Sequence, residues 1–252
     1  MKKIDYLIDE LIKEDQRLSN IEIPENVEDK KDLYRALRNI REPKPISGEY
    51  LSIQDEYLKE EIRNKGIVNE KDIPYDLDII SIWLGDITTL KCDCIVNACN
   101  SYLLGCFNHK HRCIDNTIHS FAGMQLREEC NNIMKGKPLP NGEVVLTNAY
   151  NLPSKYIIQT VGPEINGTLT NKDRTDLEKC YYNSLELAKE KHLRTIAFPC
   201  IATGLFGFPK DEASRIAIKT ITDYLKNNTY YFDHIIFNVF SEEDYNLYKN
   251  NL

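Results

Sequence analysis

The chain has 252 residues and a net charge of −7, with 42% hydrophobic and 28% charged residues. This is ordinary globular composition, enough for one large domain or a domain with a small appendage. The acidic balance argues against a broad electrostatic grip on nucleic acid, which needs clustered Lys and Arg, and no segment approaches the roughly 18–20 apolar residues of a membrane span.

The first ten residues place Asp5, Asp9 and Glu10 where a signal peptide needs a continuous apolar run. A cytoplasmic location is therefore expected, and the eight cysteines read as thiols or metal ligands, not as a disulfide framework. Residues 1–75 read as a helical N-terminal extension. Ile4, Leu7, Ile8, Leu11 and Ile12 recur at helical spacing, as do Leu33, Ala36, Leu37 and Ile40. A third helix carries Tyr50, Leu51, Ile53, Tyr57, Leu58 and Ile62, with Gly66 placed as its C-terminal cap. No chemical motif stands out here, and packing on the main domain is the expected role.

From residue 76 to 252 short β-rich runs alternate with helical patterns. The strands expected are Ile79–Leu84, Cys94–Val96, Val144–Thr147, Tyr156–Val161, Thr195–Phe198 and His234–Phe240. Helices are expected over Ile114 to Ile133, around Leu177, Tyr181, Leu185 and Ala188, and over Ala213 to Leu225, with Ser241 and Asp244 marking the start of a last one. This alternation implies an α/β fold, a mixed and mostly parallel sheet with helices on both faces, and ligands in loops beyond the strand ends.

The densest chemistry is Gly105-Cys-Phe-Asn-His-Lys-His-Arg-Cys-Ile-Asp115. Cys106, His111 and Cys113 fall within eight residues, and thiolate and imidazole are ligands that zinc prefers. Three protein ligands with an open fourth position is the catalytic pattern for zinc. The spacing is not that of a common zinc finger and leaves His109 as an alternative to His111. His119, on the following helix, reads as structural. Asp115, at the helix start, suits either capping or activation of a water.

Other loops have the look of ligand loops. Trp83-Leu-Gly-Asp-Ile-Thr88 ends a strand with an Asp able to accept from an exocyclic amine. Val96-Asn-Ala-Cys-Asn100 ends another with two amides. Ala202-Thr-Gly-Leu-Phe-Gly-Phe-Pro209 brings two glycines to a helix N-terminus, where backbone amides can close on a diphosphate, and Pro209 suits the first helical position. It is neither a Walker loop nor a GxGxxG fingerprint. Each loop read alone is equally a turn.

Together and in this order the segments resemble a macrodomain. Gly85-Asp-Ile-Thr88 resembles the family's adenine-side loop, Val96-Asn-Ala-Cys-Asn100 its Val-Asn-Ala-x-Asn segment, Tyr156-Ile-Ile-Gln-Thr-Val-Gly-Pro163 its Tyr-Val-Ile-His-Thr-Val-Gly-Pro strand, and Ala202 to Pro209 its diphosphate loop. Where ordinary hydrolytic macrodomains carry a run of glycines, this chain has the Cys-His-Cys segment. That is similar to the zinc-dependent branch, which also has a helical N-terminal extension; His109 stands where that branch commonly has a proline.

The resemblance implies a zinc-dependent protein mono-ADP-ribosylhydrolase, with a non-catalytic ADP-ribose reader as the alternative. By resemblance, Asp86 and Ile87 contact adenine and Phe240 packs on it. Asn100 holds the distal ribose beside Cys113, Ile114 and Asp115. Ala202, Thr203, Gly204, Leu205 and Phe206 cradle the diphosphate. Cys106, His111 and Cys113 bind Zn2+, and Asp115 positions or activates water. Bacterial relatives in that branch are associated with sirtuin-type ADP-ribosyltransferases and lipoyl-carrier proteins, which makes such a carrier a candidate substrate.

Overall fold

The computed structural model of the protein describes residues 2–228 and 230–252. Three helices come first: α1 (Lys3–Lys13), α2 (Val27–Ile40) and α3 (Gly48–Lys65). Asn26 and Ser47 cap α2 and α3 by accepting from the Glu28 and Tyr50 amides, and Gly66 ends α3 at φ +90°, as expected of a left-handed stop. Ile4, Leu7, Ile8, Leu11, Tyr34, Leu37 and Tyr50 close on one another as a small core of their own. The last turns of α3 lead elsewhere: Ile62 joins a core of the main sheet, and β1 (Val68–Asn69) follows.

The remaining strands are β2 (Ile80–Leu84), β3 (Leu90–Lys91), β4 (Cys94–Ala98), β5 (Val144–Asn148), β6 (Tyr156–Thr160), β7 (Thr195–Phe198) and β8 (His234–Val239). β1 and β3 form a separate parallel pair; neither two-residue strand is long enough to leave a period in the sequence. The main sheet has the order β2-β8-β7-β4-β6-β5. Its first five members are parallel, and β5 runs antiparallel to β6 at the edge.

Side-chain alternation along these strands divides the interior into two layers. Cys94, Val96, Ile158, Ile196, Phe198, Ile235 and Phe237 face α6 (Asn171–Glu190), α7 (Lys210–Asn227) and α8 (Glu242–Asn251), where Leu177, Tyr181, Leu185, Ala217, Ile221 and Tyr248 meet them. The intervening Ile95, Ile157, Ala197 and Ile236 face Ile118, Ala122, Leu126 and Cys130 of α4 (Ile114–Ala122) and α5 (Met124–Met134). Burial on both faces explains why β8 is buried along its whole length.

Two expectations need correction. The single helix read from Ile114 to Ile133 is two, broken at Gly123. This residue sits at φ +107°, and a Cβ there would lie 2.7 Å from Gln125 Oε1 and 2.8 Å from Gln54 Nε2. The apolar period runs through the break because both helices bury the same side. Pro209 stands one residue earlier than expected, as the cap before Lys210.

The extension is joined to the sheet through polar contacts as well. Arg127 of α5, almost fully buried, donates from Nη1 to the carbonyls of Arg38 (2.8 Å), Asn39 (3.1 Å) and Arg41 (2.6 Å). These include carbonyls that the C-terminus of α2 leaves without helical partners. Arg38 in turn donates to the Ser120 carbonyl on α4. Replacing Arg127 by Leu strands these acceptors. Arg127→Leu is expected to lower the unfolding free energy by roughly 2–3 kcal/mol, seen as a lower urea midpoint; an unchanged midpoint would mean that the extension is anchored by apolar packing alone.

Candidate functional site

Because β2, β4, β6, β7 and β8 run parallel, the segments after them emerge at one edge of the sheet: Gly85-Asp86, Asn100, Gly162, Ala202 and Phe240. Their proximity is tight in places. Gly85 N–H donates to the Val239 carbonyl at 3.1 Å, and the Asn238 side chain donates to the Gly85 carbonyl at 2.9 Å. A Cβ on Gly162 would lie 2.9 Å from the Ala202 Cβ. The segments that carry the sequence motifs are thus neighbours in space.

The loop after β4 brings the cysteine-histidine cluster together. The ligand atoms of Cys106, His111 and Cys113 all lie within 4.8 Å of one another, and Cys106 Sγ is 2.7 Å from His111 Nδ1. Among the described residues this is the one Cys/His/carboxylate cluster of metal-binding geometry. His109 is exposed and outside it. Cys99 is also outside, its thiol donating to the Thr160 carbonyl at 3.1 Å. Burial raises the Cys113 thiol to about 11, so a nearby cation is what would favour its thiolate. Two thiols and one imidazole, converging at this distance, fit a zinc-type ion.

Asn116, which no pattern in the sequence singles out, organises the cluster. Its side-chain oxygen accepts from Cys106 N–H at 2.9 Å, and its amide nitrogen lies 2.9 Å from Cys106 Sγ and 3.4 Å from the His111 carbonyl. Its own N–H donates to Cys113 Sγ at 3.4 Å, which makes Cys113 the cap of α4. Nothing in Ile-Asp-Asn separates this residue from an ordinary helix-start asparagine.

Asp115 lies beside this cluster in the first turn of α4 and is buried. Asn97 of β4 donates to Oδ1 at 2.8 Å, and Asn100 reaches Oδ2 at 3.5 Å. Behind Asn97 a buried polar chain continues across the sheet, from Asn97 to Gln159 Oε1 (2.8 Å) and from Gln159 to Thr147 Oγ1 (3.1 Å). Burial pushes the Asp115 carboxyl up to about 6, against the bonds from Asn97 and Asn100 and the charge of Arg127. His119 Nε2 is 3.5 Å from Asp115 Oδ1. Burial drives its pKa down to about 3, helped by Arg127, which keeps the ring neutral, and neither ring nitrogen has a hydrogen-bond partner among the described residues. Asn100 is held by two loop contacts, donating to the Gly105 carbonyl at 2.7 Å and accepting from Tyr102 N–H at 3.0 Å.

The remaining predicted residues divide by exposure. Asp86 caps the turn Ile87–Thr89, accepting from Thr88 N–H (2.9 Å) and Thr88 Oγ1 (2.6 Å), while its other oxygen pairs with Lys65 Nζ at 2.6 Å. Burial works against the charge, but the Lys65 and Thr88 bonds prevail and hold the carboxyl below its usual value. The Ile87 side chain is in the core, so a ligand contact there would fall to its main chain. Ala202 takes φ +63° and its carbonyl accepts from Phe208 N–H at 3.0 Å, which curls residues 202–208 into a compact loop. Thr203 Oγ1 donates to the Cys200 carbonyl and the Phe206 carbonyl accepts from Ile165 N–H. Gly204 has open space where a Cβ would stand. Leu205 and Phe240 are 77% and 83% exposed, two large apolar side chains left at the surface on loops that flank the same sheet edge.

This fold and loop arrangement belong to a known class. Residues 96–217 match the Macro domain family. A protein-ADP-ribose hydrolase of Treponema medium is 46% identical over 97% of this chain and 95% of its own length. One from Staphylococcus aureus (strain MRSA252) is 44% identical over 98% and 94%. Among solved structures, the Trypanosoma brucei macrodomain in complex with ADP-ribose superposes with a TM-score of 0.66 at 29% identity, covering 85% of this chain and 94% of that one. The chain is a member of the macrodomain family.

Replacing Cys106 or Cys113 by Ser removes a soft donor from the cluster. Each variant is expected to retain less zinc than the unaltered protein when purified in parallel and assayed by elemental analysis. Full zinc in both would show that these two thiols are not ligands.

Proposed function

We propose that the protein is a zinc-dependent protein mono-ADP-ribosylhydrolase, acting in the cytoplasm, with residues 76–252 as the macrodomain and residues 1–75 as its helical extension. The observation that carries this reading is the placement of Asp115, a buried carboxylate, two residues after Cys113 of a Cys-His-Cys cluster, at the sheet edge where the nucleotide-type loops converge. The hydrolase names of the relatives from Treponema medium and Staphylococcus aureus support the reaction class.

In this reading the Ala202–Phe206 loop holds the diphosphate with backbone amides. Asp86 and the Ile87 main chain receive the adenine, and exposed Phe240 covers it by stacking. Asn100, with Cys113 and Ile114, borders the distal ribose. Asp115, held from behind by Asn97, orients and deprotonates the attacking water. Zinc bound by Cys106, His111 and Cys113 would supply Lewis acidity at the same place, toward a ribose oxygen or toward water. The products are free ADP-ribose and the unmodified side chain. A lipoyl-carrier protein is the substrate we would test first.

Binding and chemistry rest on different residues here, so they should separate. Asp115→Ala is expected to cut turnover of a mono-ADP-ribosylated protein by at least about 100-fold, the lower range for a positioned base, while free ADP-ribose still binds by calorimetry. Unchanged turnover would remove Asp115 from the chemistry. Binding of ADP-ribose by the unaltered protein without release from any linkage type would identify a reader instead.

A further inference from the structure

The loop that carries the metal-type cluster has little structure of its own. Phe107, Asn108, His109 and Lys110 are exposed, and α4 grips it from one side through Asn116. The other side lies on the N-terminal extension, at one face of α2. Residues Asp32, Arg35 and Asn39 are three and four positions apart and so share that face. Arg35 Nη1 donates to the His111 carbonyl at 3.1 Å. Asn39, 1% exposed, reaches the His111 and Asn108 carbonyls, each at 3.4 Å. Arg112 pairs with Asp32 at 2.6 Å, but both are largely exposed, and such a pair adds little.

Three side-chain donors, from Arg35, Asn39 and Asn116, therefore converge on the carbonyl of one residue, His111. That carbonyl belongs to the only imidazole in the cluster, and fixing its main chain fixes where Nδ1 can go. We propose that α2 is a positioning element of the metal centre, with Arg35 and Asn39 holding the His111 backbone so that its ring stays beside Cys106. The extension then acts on the centre through named residues, beyond packing against the main domain. The inference rests on the zinc reading given above.

The test uses the full-length chain and reads metal binding rather than turnover. Zinc affinity is measured by competition with a chromogenic chelator for the unaltered protein, Arg35→Ala, Arg35→Lys and the double variant Arg35→Ala/Asn39→Ala. Cobalt(II) is then loaded in place of zinc, and its visible and thiolate charge-transfer bands report the ligand geometry. The double variant is expected to bind zinc about 10-fold more weakly, the lower range for groups that orient metal ligands, with shifted cobalt bands. Arg35→Lys keeps a cationic donor and should recover most of the affinity that Arg35→Ala loses. A folded double variant with unaltered zinc affinity and unaltered cobalt bands would overturn the proposal. Should the double variant not fold, Arg35→Ala carries the test: Arg35 is partly exposed, and unaltered affinity in that variant would overturn the proposal equally. An unaltered protein that takes up neither metal would overturn the zinc reading itself and this inference with it, so the two failures are told apart by the measurement on the unaltered protein.

Discussion

The side chain of Asn116 joins the irregular half of the site to the rigid half. Cys106 and His111 sit on a loop without regular structure, and Cys113 and Asp115 sit at the start of α4. A single buried amide touches Cys106 at both its backbone and its sulfur, reaches His111, and belongs to the residue whose N–H donates to Cys113. The same contacts that fold the loop therefore hold its donor atoms together. Without them the three donors would be close in sequence and free to diverge in space.

The position of α4 is set in turn by the sheet. Ile118 and Ala122 pack on the face that carries Ile95, Ile157 and Ala197, and this apolar contact brings the first turn of α4 to the end of β4. Asn97 comes from within β4 and holds the Asp115 carboxylate, and Gln159 on the neighbouring strand holds Asn97. A buried polar chain of this kind is costly unless its donors are satisfied, and it runs between register partners, with Asn97 opposite Gln159. Site geometry is thus a consequence of strand register.

The two ends of the proposed cleft are built differently. At the end proposed for the nucleotide, the turn at Ile87–Thr89 and the curled 202–208 loop present main-chain groups, with Asp86 held by Lys65 and Thr88. At the cluster end the groups are side chains supported by other side chains. The extension touches both ends, through Lys65 at Asp86 and through Arg35 and Asn39 at His111. A segment without any chemical motif in its sequence therefore contacts both ends of the site.

Much of this was legible in the chain itself. The main strands and three initial helices follow from apolar periodicity and caps, because burial on two faces or one imposes a period that composition cannot hide. Cys106, His111 and Cys113 could be grouped because zinc-type donors recur within eight residues of one another, although spacing alone does not make them converge. Their resemblance to a known motif separated His111 from His109, which spacing did not. What the sequence lacked was anything that depends on distant residues meeting. The break at Gly123 lies in a backbone turn at φ +107°, where the main chain does not continue the helix before it and the next helix starts in a new direction. The roles of Asn116, Asn97, Arg35 and Arg127 come from hydrogen bonds that span up to 89 positions. Local patterns record which face of an element is buried; only the tertiary structure decides which polar groups meet there, because a hydrogen bond is set by position and direction and leaves no period in the sequence.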